Sequence, residues 1–154
     1  MSITVRGMSV AAIAFAIAFG VSADGFGEDV RVPFETIMQG QHAGRTESGN
    51  IVVDSQADLE RVWRQIQVRG DDYGEPPEVS FAEETLLVLF MGRRNTGGYS
   101  IEVDEVRAEP DRITVYYREY VPAPGDAVIQ VLTSPFHVVR IPNLGRPIRF
   151  SRRR

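Results

Sequence analysis

By their ordinary pKa, two side chains in this 154-residue sequence could serve as a neutral-pH general base, His42 and His137. Either could be drawn with Ser134 or Ser100 and an aspartate into the nucleophile, base and orienter relay of a hydrolase. No GxSxG elbow or other nucleophile motif surrounds those serines. His137, beside Ser134-Pro135-Phe136, reads instead as a half-buried strand histidine, and His42 falls in a polar, glycine-containing loop. Metal chemistry has as little to work with, because His-x-x-x-His, Cys-x-x-Cys and any clustered His/Asp triplet are missing from the sequence. Asp71, Asp72, Glu75 and Glu78 supply oxygen donors of the kind calcium takes. They lack the ordered alternation of an EF-hand loop, so a solvated acidic loop is expected. Glu83 and Glu84 are adjacent and in a strand would point to opposite faces, which rules them out as a glycosidase pair on their own. No metal, cofactor or catalytic residue is expected, and the chain reads as a non-enzyme.

The stretch with the strongest local signal is Gly92 to Val103, GRRNTGGYSIEV. Gly97-Gly98 allows backbone angles that a side chain forbids, so the chain can reverse tightly there or let another backbone approach. A phosphate-binding role fails, because the loop lacks the lysine of a phosphate loop and the helix that must follow it. Tyr99 beside the glycine pair could act as an aromatic contact, or it could be core. The loop reads as a hairpin that joins the most buried strand to an alternating one.

The elements around it are mostly β. Thr85 to Met91, TLLVLFM, is a continuous apolar run of strand length, which implies burial on both faces and a central position. After the glycines, Tyr99, Ile101 and Val103 alternate with Ser100, Glu102 and Asp104, so one face is buried and the other wet. Ile113 to Arg118, after the Glu109-Pro110-Asp111 turn, is a further strand that completes a meander. Val30 to Met38 reads as one strand, confined by Pro33 to an edge or to a strand's beginning. Gln39 to Asn50 reads as loop and Ile51 to Val53 as a short strand. Ser55-x-x-Asp58 is a capping-box-like helix start, followed at helical spacing by Leu59, Val62, Trp63 and Ile66. That stripe places Trp63 in the core. Val128 to Thr133, His137 to Ile141 and Ile148 to Phe150 read as further strands, with proline-rich Tyr120 to Asp126 between elements. The fold class expected is α+β: a mostly antiparallel sheet, sandwich-like or a partly open barrel, with one amphipathic helix near 55–67.

The opening MSITVRGMSVAAIAFAIAFGVSADG has one cation, Arg6, then an apolar run from Met8 to Val21 and small residues at Val21 and Ala23, the pattern of a secretory signal peptide cut after Ala23. The run is shorter than the roughly 20 residues of a spanning helix. The organisation expected is a signal peptide over 1–23, a flexible leader and edge strand over 24–50, and a single domain over 51–154. Export of a chain with no cysteine points to the bacterial periplasm or to secretion, with the fold held by its core. The formal charge of −4 becomes −5 once Arg6 leaves with the leader, which argues against a nucleic-acid partner. All 17 basic residues are arginine.

The order IVVDSQADLERVW, PPEVSFAEETLLVLFMGRRNTGGYSIEV, VPAP and VIQVLTSPFHVVRIP resembles the C-terminal domain of the PrcB family, described as a protease-complex subunit. The most specific pieces are Gly92-x-x-x-Thr96-Gly97-Gly98-Tyr99 and Thr133-Ser134-Pro135-Phe136, where the family commonly has an aromatic after the proline. The family's named member is a lipoprotein, whereas this chain has no cysteine to lipidate. The resemblance implies a non-catalytic exported module that binds another exported protein, such as a protease subunit. Gly92, Thr96, Gly97, Gly98, Tyr99, Thr133 and Pro135 are its expected contact residues. A second reading is a small protease inhibitor that presents the Gly92 to Tyr99 loop to a cleft.

Overall fold

The computed structural model describes residues 29–68 and 73–154. The expected signal peptide, most of the leader, and Asp71 and Asp72 of the acidic loop lie outside the described residues. In chain order the elements are β1 (Val30–Val32), β2 (Glu35–Gly40), β3 (Gly49–Val53), α1 (Gln56–Ile66), β4 (Glu84–Phe90), β5 (Ser100–Ala108), β6 (Ile113–Tyr120), β7 (Phe136–Pro142) and β8 (Ile148–Arg153). They form two four-stranded sheets, β1-β5-β6-β8 and β2-β7-β4-β3, antiparallel except for the parallel pair β6-β8. The arrangement is a sandwich with one helix, not a closed barrel.

The uninterrupted apolar run of β4 follows from its place in the middle layer. Leu87 and Leu89 face the first sheet and pack with Ile101, Val103, Val106 and Val115. Leu86, Val88 and Phe90 face the other way and pack with Leu59, Val62, Trp63 and Ile66 of α1. Alternate residues of one strand therefore serve two cores, which a period-2 side-chain pattern requires of a sheet covered on both sides. β7 divides in the same manner, with Phe136 and Val138 toward the helix and Val139 and Ile141 toward the first sheet.

The helix begins where the cap predicts. Ser55 is extended (φ −146°, ψ 156°), and its Oγ accepts the Asp58 N–H at 3.3 Å. Burying Leu59, Val62 and Ile66 stabilises the helix by about 1.5–3 kcal/mol per side chain. Trp63 lies in the same core, and its indole N–H donates to the Gly74 carbonyl at 2.9 Å, which satisfies the one polar atom that burial would strand.

Four expectations are corrected. Val30 to Met38 is not one strand. Pro33 separates β1 from β2, and the two halves join opposite sheets, each at an edge. The expected loop from Gln39 to Asn50 is shorter, because Gln39 and Gly40 extend β2 and Gly49 and Asn50 begin β3. Val128 to Thr133 is not a strand, and only Thr133 forms a bridge, with Arg94. The Gly92 to Tyr99 stretch is not a hairpin. It carries the chain from β4 in one sheet to β5 in the other, so its two flanking strands face each other across the core instead of pairing side by side.

Candidate interaction surface

The crossover from β4 to β5 is held by backbone hydrogen bonds to two other segments. The Met91 N–H donates to the Pro135 carbonyl at 2.9 Å and the Arg93 N–H to the Thr46 carbonyl at 2.8 Å. Arg94 and Thr133 exchange two bonds of 2.7 and 2.9 Å, and the Gly97 N–H donates to the Ile129 carbonyl at 2.9 Å. The Thr133 hydroxyl donates to the Thr96 carbonyl at 2.9 Å. Of the residues named from sequence, Gly92, Thr96, Gly97, Gly98, Tyr99, Thr133 and Pro135 thus come together at one end of the sandwich. Thr133 and Pro135, distant from the glycines in the chain, are their direct neighbours in space.

Their surroundings explain the residue types. Gly92 has φ +80°, and a Cβ there would sit 2.8 Å from the Ser48 backbone nitrogen. Gly98 has φ +85°, and its Cβ would meet Pro122 Cγ at 2.8 Å. At Gly97 the obstacle is steric: a Cβ would lie 2.7 Å from Ile129 Cγ1. Gly92 and Gly97 are buried, Thr96 and Tyr99 are partly buried, and Gly98 is exposed. Tyr99 packs on the core between the sheets, and the Arg94 guanidinium lies over its ring at 5.6 Å. Phe136, the aromatic after the proline, is fully buried against Tyr73 (5.3 Å, edge to face) and Phe90. The glycine crossover is therefore a foundation, and what lies on top of it is the segment from β6 to β7.

That covering strap carries residues that sequence reasoning missed. Tyr120, Val121, Ile129, Val131 and Leu132 are 43, 63, 72, 39 and 53% exposed. Among the described residues the only other large hydrophobic side chain so exposed is Val30. Beyond Tyr120, the last residue of β6, the strap contains no strand; it is anchored by the Gly97-Ile129 and Arg94-Thr133 bonds, and within it the Asp126 carboxylate accepts the Ala123 N–H at 2.7 Å. The available signal was an apolar VIQVL run directly after the Pro122/Pro124/Gly125 breakers. High β-propensity favoured a buried strand over an exposed strap.

The histidines occupy structural positions. His137 is 3% exposed on the inter-sheet face of β7. Its Nδ1 accepts the Val103 backbone N–H of β5 at 2.9 Å, which fixes the proton on Nε2, and Nε2–H donates to Thr36 Oγ1 of β2 at 3.0 Å. Both ring nitrogens are thus engaged away from Ser134. Burial pushes the imidazole below its ordinary pKa, and the Glu102 carboxylate pulls weakly the other way. His42 forms a backbone bridge with Ser134, and its carbonyl accepts the Tyr73 hydroxyl at 2.9 Å.

At the opposite end of the sandwich an open cleft of about 550 Å³ is lined by Val52, Asp54, Thr85, Asn143 and Arg146 among others. None of the seven expected contact residues lines it. No curated protein and no solved structure gives a significant match to the chain. The model of the family described as PrcB C-terminal does match, over residues 85–142, from the second residue of β4 to the last of β7. That span includes both glycine-loop and Thr133–Phe136 motifs and the whole strap between β6 and β7, so over residues 85–142 the chain is similar to the family described as PrcB C-terminal.

Proposed function

We infer that the chain is an exported, non-catalytic binding module that acts as an accessory subunit of a protease complex, and that it docks on its partner through the strap at 120–132. One observation carries the docking reading: five of the six exposed large hydrophobic side chains among the described residues fall within those 13 residues. Soluble proteins scatter exposed apolar side chains singly, and a concentration of them marks a contact surface. The glycine crossover supports the strap from beneath: Gly97 and Gly98, which lie against Ile129 and Pro122, act on binding by shaping it, Gly92 seats the crossover on the 46–48 loop, and Thr133 and Pro135 fasten the strap's far end. The match of residues 85–142 to the PrcB C-terminal family model supports the protease-complex role. The inhibitor reading has less support, because the Gly92 to Tyr99 loop is hydrogen-bonded along its length and partly buried, and does not stand clear for insertion into a cleft.

The test is recovery of partners from an extract of the cells that produce the protein, using wild type and an Ile129→Asp/Leu132→Asp variant. Both positions are exposed, so the variant should keep its melting temperature and lose the partner, and a protease subunit should be among the proteins lost. Equal recovery by the two proteins would sink the strap as the docking surface. Titrating serine and cysteine proteases with the purified protein should leave their activity unchanged, and stoichiometric inhibition would instead support the inhibitor reading.

A further inference from the structure

Four strands end the two sheets, and β8 presents the longest edge in unbroken register. β1 has three residues, β2 carries a register shift between Thr36 and Met38, and β3 leads through Asp54 into α1, which packs against it. Short length, bulges and covering elements are the usual means of blunting a sheet edge. β8 has none of these. It pairs with β6 in unbroken parallel register from Ile113↔Ile148 to Arg118↔Arg153, and among the described residues none of its backbone groups bonds to any segment other than β6. Alternate amides and carbonyls along its outer side are therefore unpaired.

The charge along this edge is one-sided. Residues 143–154 hold five arginines and no carboxylate side chain, in a chain whose net charge is −4. Arg152 and Arg153 turn back onto the protein's own Glu119, Asp104 and Glu105. Arg149 and Arg154 are exposed and have no ion pair among the described residues. Two copies of this edge would bring like charges together, which opposes self-pairing, whereas an acidic strand would gain attraction along with its backbone bonds.

We propose that the open edge of β8 accepts an extended acidic segment of a partner protein, which adds to the first sheet as a fifth strand. Main-chain hydrogen bonds to the outer edge of β8 supply the affinity, and Arg149 and Arg154 select for carboxylates. The strap leaves β6 at Tyr120, beside the Arg153 end of β8, and makes no backbone bond to β8.

An eight-residue blocked peptide alternating glutamate and valine serves as the probe, with amide hydrogen exchange on the full chain as the readout. The peptide should slow exchange at alternate amides within 148–153. Methylating its backbone nitrogens at alternate positions should weaken binding at least tenfold in one phase and little in the other. Arg149→Glu should weaken it at least fivefold, and because Arg149 is exposed and makes no ion pair among the described residues the fold should be unaffected, as checked by an unchanged melting temperature. Binding that survives N-methylation in both phases would mean simple charge pairing with the arginines and would overturn the proposal. So would the absence of protection on β8 at millimolar peptide.

Discussion

Replacing His137 with leucine tests whether the two sheets are tied through one imidazole. The ring accepts the Val103 N–H from the first sheet and donates to Thr36 on the edge of the second. Leucine has a comparable volume and no acceptor, so the Val103 N–H would be left buried without a partner, at about 1–3 kcal/mol, and the Thr36 bond would go with it, at about 0.5–1.5 kcal/mol. The expected loss is about 2–4 kcal/mol, which for a domain of this size lowers the melting temperature by about 4 °C per kcal/mol, or about 8–16 °C in all. The pH dependence gives a second readout. Burial holds the folded imidazole below its ordinary value of 6.5, so below that pH the unfolded chain binds the proton more readily than the folded one. Stability from this group is fully present above pH 6.5, falls as pH drops through 6.5, and levels off once the folded imidazole itself is protonated. The leucine variant should lack that slope. Thermal unfolding followed by circular dichroism at pH 7.5 and at intervals down to about pH 5.5 covers the window. A shift under about 3 °C at pH 7.5, or a variant with the parent's slope, would refute the tie.

Other expectations rest on separate parts of the molecule. Gly98→Ala forces a side chain into φ +85° and against Pro122, and should cost about 1–3 kcal/mol in urea unfolding, with the strap's amides the first to lose exchange protection. Ser55→Ala removes the oxygen that caps α1 and should cost about 1 kcal/mol by the same measurement. Hydrogen bonds from Arg153 and Arg107 hold the Glu105 carboxyl below its ordinary 4.5, so its contribution persists above that pH and is lost as pH falls further. Acid unfolding should therefore show a step below the His137 window, and Arg153→Leu should diminish that step alone. Ile129→Ser and Leu132→Ser should leave stability within about 0.5 kcal/mol, since neither side chain is buried.

Features set by neighbours in the chain were legible in the sequence. Ser55 and Asp58 announce a helix start, and Leu59, Val62, Trp63 and Ile66 recur at helical spacing, so both the element and its buried face could be read. The unbroken apolar run of β4 could be read as two-sided burial for the same reason. Choices between distant partners could not. Nothing local to Gly92–Tyr99 distinguishes a turn within one sheet from a crossing between two, because the answer lies in Thr46, Ile129 and Thr133. Nor does periodicity show that Val131 and Leu132 face outward. Apolar residues in a β-prone run are expected to be buried, and here they are 39% and 53% exposed. The parallel pairing of β8 with β6 is likewise invisible, since parallel neighbours are joined by long connections with no signature of their own.

One irregularity in β5 ties the inner tether to the outer charge lattice. Val103 pairs with Tyr117 and Glu105 with Tyr116, so Asp104 is an extra residue that shifts the strand's phase. Before it Ile101 and Val103 face the core, and after it Val106 and Ala108 do. A regular strand would have turned one of two successive carboxylates inward. The bulge instead leaves Asp104 and Glu105 together on the outer face, where the Arg153 guanidinium reaches both while lying 4.2 Å from the centre of the Tyr116 ring. On the inner side, the Val103 N–H beside the bulge meets His137 of the facing sheet. The same extra residue thus fastens the end of β8 from outside and the second sheet from inside. Glu105 and its arginine partners are only partly buried, so the outer contacts should weaken with salt, while the buried His137 tether should not.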